Sequence, residues 1–473
     1  MKNNTSSISD FPDWLSPMLI KELRQGMRTR LFAITFITLQ VLMIGFLGIS
    51  MLLESQNIPS GLMSFFFWFA ISLPVLFALP FSGFQAVSNE IKGQTLELIQ
   101  LTRLNAWRIV WGKWMAIVAQ IVLLLCAVLP YVILRYFLGG INLADDLKGL
   151  ASMLLVSATL TAAMVGFSSF GNRLFRILIV IGLFLGIQIL PSFILGFAIA
   201  GGGSPVAPDI FSSIIIAILS CLFISILMLK IGAGRIAPAS ENHTTSKRLL
   251  GIFALLAALT AILLSLNLKW VGLFALLGCV PVFLGALIEE NSVFKNIYRP
   301  FAKRGMPGRL LGRIFYPGWS AGIIYIAVML LGFLLYFLLA TNFKEPKIAW
   351  MLFVAVLGCF TVPAVIIRFF SLWGDAGGFV FFVFHAIGLV LGTMAINLKD
   401  LPSLVGFAAL HPLSDLLLIA TLPDKTDRID ALIIPMFLVV STSILILAFY
   451  LIPALRRISQ LEKQSLQVDN ELA

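Results

Sequence analysis

Two stretches, residues 62–87 and 114–139, contain no charged residue before Arg135. About 20 such residues, coiled as a helix, cross the ~30 Å hydrocarbon core of a bilayer. In hydrocarbon every backbone N–H and C=O must be bonded within the chain, so a spanning stretch is a helix or part of a closed barrel. The alternating ten-residue pattern of a barrel is absent. Runs of the same kind recur and predict twelve spans, at 31–53, 62–87, 114–139, 149–170, 177–199, 209–230, 249–267, 270–288, 317–340, 349–368, 377–397 and 431–453. The expected fold is an all-α polytopic membrane protein with about 12 transmembrane helices.

Charge supports this reading. Only 12% of the residues are charged and mean hydropathy is +1.02, where a soluble domain carries about 25% charge. The net charge of +11 does not require nucleic acid, because Lys and Arg collect in cytoplasmic loops of membrane proteins. Twenty-five of the 33 Lys and Arg lie on the side of the termini, against seven on the other side. Both termini are therefore expected in the cytoplasm of a cell with a bacterial plasma membrane. Cys126, Cys221, Cys279 and Cys359 all sit in apolar runs and read as small buried residues, not as disulfides or a metal site.

Between the second and third spans lies a polar stretch, Asn89 to Lys113, with Glu90, Lys92, Glu97, Arg103, Arg108 and Lys113. It holds two short helical candidates, Thr95–Leu101 and Ala106–Gly112. Leu96, Leu98 and Ile99 can bury against a partner, Glu97 can pair with a partner arginine, and Glu90 can brace the loop against Lys113 or Arg108. Ahead of the first span, Leu19, Leu23 and Met27 recur every four residues while Lys21, Arg24 and Arg28 face elsewhere. That pattern predicts an amphipathic helix with a basic face, lying in the membrane interface.

Residues 1–30 thus form a tail with this helix, and 31–230 a first six-helix unit. Residues 231–248 form a linker with Gly232, Gly234 and Pro238. A second six-helix unit, 249–453, and a tail, 454–473, follow. Each unit places its longest basic loop between its second and third helices, at 88–113 and 289–316. This is a repeat of topology and not of sequence. Ser403–Thr421, apolar but containing His411, Pro412 and Asp415, is read as re-entrant or interfacial. Arg135 is expected to snorkel toward the outer headgroups, and His385 to be a hydrogen-bonded structural residue.

At Glu90-Ile91-Lys92-Gly93-Gln94-Thr95-Leu96-Glu97 the chain resembles the permease subunits of ATP-binding-cassette type-2 exporters. Their first cytoplasmic loop runs from Glu to Gly-Thr-Leu-Glu, leucines, Thr-Pro-Leu-Ser and a closing Gly-Lys. Glu90, Thr95, Leu96, Glu97, Leu98, Leu101, Thr102, Leu104, Gly112 and Lys113 match; Gly93 stands one place early, with Gln94 inserted. Arg103 replaces the proline and Asn105 the serine; Asn105 can still cap the next helix. Pro17–Arg30, with Lys21-Glu22-Leu23-Arg24, resembles the family's connecting helix. The likeness is weak over 249–473.

The resemblance implies an ATPase-coupling loop that includes Glu90, Gly93, Thr95, Leu96, Glu97, Leu98, Ile99, Thr102, Gly112 and Lys113. It implies a connecting helix that includes Leu19, Lys21, Glu22, Leu23, Arg24, Met27 and Arg28. It further implies a separate cytoplasmic ATPase subunit that binds the ATP, with export of the substrate. If the halves are a duplication one chain supplies the whole unit, and otherwise a second permease chain pairs with it. The residues themselves provide no phosphate-binding loop and no hydrolase or zinc-protease motif, so the chain is expected not to be an enzyme and to hold no cofactor or metal. Two rivals stay open: a secondary transporter with six-plus-six helices, and a non-transporting membrane scaffold.

Overall fold

The computed structural model describes residues 17–53, 60–93, 105–138, 142–171, 177, 207–238, 241–263, 271–292, 294–340, 346–397, 410–414 and 426–472. Over these residues the chain is helical and has no strand. Among the described residues ten helices are long and apolar enough to cross a membrane, which makes this a multi-pass fold with the lipid bilayer as its solvent. Helix α2 (Arg30–Leu53) illustrates the consequence. It buries Phe32, Leu39 and Met43 and turns Ile34, Ile37, Val41 and Ile44 outward, each about 60% exposed. A stripe of that kind marks a surface covered by lipid or by protein, and on an apolar helix of spanning length it fits acyl chains.

The helices fall into two compact units, one formed by 1–171 and 192–237 and the other by 172–191 and 238–473. The first holds α1 (Pro17–Met27), α2, α3 (Ser60–Ser72), α4 (Leu79–Ser82), α5 (Ser88–Lys92), α6 (Ala106–Leu138), α7 (Leu143–Phe167) and α8 (Ala207–Ile236). Its core gathers Phe67, Ile71, Val75, Ile109, Ile121, Leu124 and Val165, with others around them. The second holds α9 (Thr244–Leu263), α10 (Val271–Ile288), α11 (Lys295–Ala302), α12 (Gly305–Phe315), α13 (Trp319–Ala340), α14 (Pro346–Phe369), α15 (Gly374–Asn397) and α16 (Thr426–Leu472).

Several boundaries differ from the sequence reading. Ala106–Gly112 is not a separate short helix but the first two turns of the 33-residue α6. Nothing in that segment breaks helical geometry, so polarity alone had suggested a boundary. The expected linker 231–248 is helical at both ends, and the connection between α8 and α9 shrinks to 237–243. The expected tail 454–473 continues α16, a 47-residue helix about 70 Å long. All but the first residue of the predicted span 177–199, and most of 403–421, lie outside the described residues.

The second predicted span is irregular, for a covalent reason. A π-helical turn, Leu73–Ala78, joins α3 to α4, with Pro74 at its start and Pro80 just beyond it. The Leu79 N–H bonds Pro74 O, and Pro80 has no N–H to give. Val75 O is therefore left without a ladder partner. The fully buried Ser157 hydroxyl of α7 donates to it, as a buried carbonyl requires.

In the second unit, residues 410–414 pack against two helices. Gly388 of α15 and Gly358 of α14 leave room for them: a Cβ on Gly388 would strike the His411 ring, and one on Gly358 would meet Pro412. Ser414 Oγ donates to Gly388 O at 2.8 Å and His411 Nε2 to Phe384 O at 2.9 Å. Gly388 lies nine residues from the end of α15, roughly 13 Å, and Phe384 roughly 20 Å. The turn thus sits at mid-helix depth, not at a surface.

Candidate functional site

The predicted loop and the predicted connecting helix meet at one lysine. Lys113, two turns into α6, is buried, with a side chain 6% exposed. Its ammonium lies 2.8 Å from Glu90 Oε1 and 3.2 Å from Glu22 Oε1. Glu90 belongs to α5, where the loop leaves the second span, and Glu22 belongs to α1. Both carboxylates are largely covered, at 14% and 15% exposed. One cation therefore neutralises two acids and joins three elements distant in sequence. Of the two partners expected for Glu90, the structure selects Lys113.

Helix α1 lies on α6 directly behind this bridge. Gly26 packs so closely on the buried Gln120 that a Cβ would meet its side-chain amide. Leu19 and Leu23 are half-buried and Met27 is 40% exposed. Lys21, Arg24 and Arg28 are exposed. With Ile20, Gln25 and Thr29 they line an open groove of about 690 Å³. The periodicity had placed the leucines against lipid; in the structure α1 uses Glu22 and Gly26 to dock on protein and leaves the basic side open.

Of the remaining loop residues, Gly112 is buried in α6, and Gly93 closes α5 with its N–H on Asn89 O at 2.9 Å. Gly93 has φ −78°, a conformation open to any residue. Thr95, Leu96, Glu97, Leu98, Ile99 and Thr102 lie outside the described residues. The sequence reading passed over three tryptophans. Trp107, Trp111 and Trp114 form a ladder with centroid separations of 5.5 and 4.7 Å. Lys230 of α8 sits over Trp107 at 5.1 Å, and Trp114 Nε1 donates to Ala158 O at 2.9 Å. Their i, i+4, i+7 spacing was the available signal, legible once 106–138 is seen as one helix.

The second unit has a comparable knot. Glu289 directly follows α10 and is one-quarter exposed. Its carboxylate accepts from the Thr244 hydroxyl and, at 3.2 Å, from the Gly318 N–H. Lys247 stands at 3.7 Å and Arg248 at 3.6 Å. Burial alone would raise the Glu289 pKa, but these two cations and two hydrogen bonds outweigh it and hold the group below its ordinary value. Arg248, 1% exposed, also donates to Ile314 O at 2.8 Å and Gly318 O at 3.0 Å. Gly318 has φ +115° and abuts Asn291, so this turn requires glycine.

The two knots share a plan. In each, a carboxylate just past the second helix (Glu90, Glu289) reaches both the start of the third helix and the segment leading into the first. In the first unit Lys113 makes both links. In the second, Gly318 and Trp319 supply one, with Trp319 N–H on Glu289 O at 3.0 Å, and Lys247 and Arg248 supply the other.

The opposite end of α6 corrects another expectation. Arg135 does not snorkel. It is 5% exposed and pairs with Asp146 at 3.1 Å, donates to the Ser64 hydroxyl, and lies 4.5 Å over the Phe67 ring. The competing principle is pairing: a buried carboxylate on α7 offers more than the interface does. Lys113 and Arg135 are 22 residues apart, roughly 33 Å along α6, about one hydrocarbon thickness.

His385 donates from Nδ1 to Phe381 O at 2.8 Å and packs, tilted, against the Phe381 ring at 4.2 Å. His411 stacks on Phe384 at 4.1 Å and donates from Nε2, so Nδ1 accepts from Leu413 N–H at 3.2 Å. Of the cysteines, Cys279 and Cys359 are buried, while Cys221 is half-buried and Cys126 exposed; all are free. Among the described residues no group of three or more His, Cys, Asp or Glu could hold a metal ion. No protein-family model, curated protein or solved structure matches the chain.

Proposed function

We propose that this chain is the transmembrane permease subunit of an ATP-binding-cassette exporter, driven by a separate cytoplasmic ATPase that grips the 88–113 loop. The reading includes twelve spans in a bacterial plasma membrane, both termini cytoplasmic, and α1 at the inner interface. The observation that carries it is the bridge of Lys113 to Glu22 and Glu90. A push on the loop is delivered through that bridge to α1 and to the whole length of α6, because a buried double ion pair does not yield independently of its partners. Two stable arrangements of such packed helices would give the inward- and outward-open states. ATP can shift their balance only through a difference in affinity between them.

The test is co-expression with the ATPase encoded nearest in the genome. The expected result is a stable complex whose ATPase rate depends on this chain. Leu96→Asp combined with Glu97→Arg abolishes the complex without changing the thermal stability of the chain alone. An intact, coupled complex in that variant, or no ATPase partner at all, overturns the proposal. One observation favours a secondary transporter instead: His385 and His411 both pack on Phe384 at mid-helix depth, where coupling-ion groups belong. Uptake or export by the purified chain in liposomes, driven by a proton gradient without ATP, would establish that alternative.

A further inference from the structure

The 294–315 segment carries six cations, Lys295, Arg299, Lys303, Arg304, Arg309 and Arg313, and no acid. Its helix α12 presents three distinct sides. Gly308 and Gly312 are buried, against Phe301 O and the Tyr316 ring. Arg309 and Arg313 are half-buried beside the Glu462 carboxylate of α16. The third side bears Met306, Leu310 and Leu311, exposed by 79%, 61% and 52%. Lys303 and Arg304, both exposed, stand at its amino-terminal end. Only Tyr316, Pro317 and Gly318 separate α12 from the apolar span α13.

We infer that α12 is a surface helix that seats Met306, Leu310 and Leu311 in the bilayer and holds anionic phospholipid headgroups with Lys303 and Arg304. Three observations single out lipid as the occupant. The outer sector is apolar and follows helical spacing, as an interfacial helix requires. The segment is uniformly cationic, complementary to a negative membrane surface. It joins a spanning helix through three residues, so the headgroup layer is within its reach. This inference rests on the membrane-spanning fold and not on the proposed coupling to an ATPase.

The experiment uses the full chain, with Cys126 and Cys221 replaced by serine, spin-labelled through Leu310→Cys and reconstituted in phosphatidylcholine with or without phosphatidylglycerol. The label should be accessible to oxygen and shielded from a water-soluble nickel reagent, more so with phosphatidylglycerol. Native mass spectrometry of the unlabelled chain should show retained phosphatidylglycerol. Lys303→Gln and Arg304→Gln should each lower its retention relative to phosphatidylcholine by about fivefold. A nickel-accessible label in both membranes overturns the inference, as does equal retention of the two lipids. A label shielded from both reagents marks a protein partner and overturns it too, while leaving the role of the 88–113 loop standing.

Discussion

Lys113→Met tests the bridge directly. The substitution keeps the length and apolar stem of the side chain and removes its charge. Glu22 and Glu90, 15% and 14% exposed, then lose the cation they share, and Glu22 keeps a longer contact of 3.9 Å to the exposed Lys21. Breaking a buried ion pair by removing one partner costs about 3–5 kcal/mol, and the residual exposure of both acids favours the lower end, about 3 kcal/mol. For a unit of about 200 residues that is a fall in Tm of about 6–12 °C. The assay is thermal unfolding in detergent followed by intrinsic fluorescence. Adding Glu22→Gln and Glu90→Gln should restore most of the loss, because replacing all the charges together is close to neutral. The cost of the single change and its rescue form a cycle. A loss below about 1 kcal/mol, or a triple variant no better than the single, would refute the claim that one cation holds both acids.

Two further outcomes follow from the second unit. The Glu289 carboxyl titrates below its ordinary value, so its contribution is present above the unfolded carboxyl pKa and is lost as pH falls through the folded one. Glu289→Gln should therefore cost about 2 kcal/mol at neutral pH, and its deficit should shrink on acidification; a deficit that grows at low pH contradicts the sign. Gly388→Ala should cost about 1–3 kcal/mol by driving a methyl into the His411 ring. In a His411→Ala background the cost should be markedly smaller in chemical or thermal unfolding, and strictly additive costs would show that the 411–414 turn is not seated there.

How much was legible in the sequence differs from one residue to the next. Glu90 and Lys113 could be proposed as partners because both stand at the edges of one loop. Glu22 could not, since it lies 91 residues from Lys113 and looked like one more charge on an amphipathic helix. Arg135 was misread because distance from the span end suggested snorkelling, and nothing local announced that Asp146 would turn inward from the next helix. Ala106–Gly112 was legible as helix but not as the start of the long helix, because Arg108 and Lys113 suggested an edge there, and Trp107, Trp111 and Trp114 pack along one continuous helix.

By itself the sequence determined that this chain is helical and lives in lipid. Both follow from a cost paid residue by residue: unbonded peptide groups and bare charges are not tolerated in hydrocarbon, whatever their neighbours. Tertiary structure alone decided which charges meet. Lys113 with Glu22 and Glu90, Arg248 with Glu289, and Arg135 with Asp146 are pairings between separate elements. Their energies depend on distance and burial, quantities that exist only once the helices have packed.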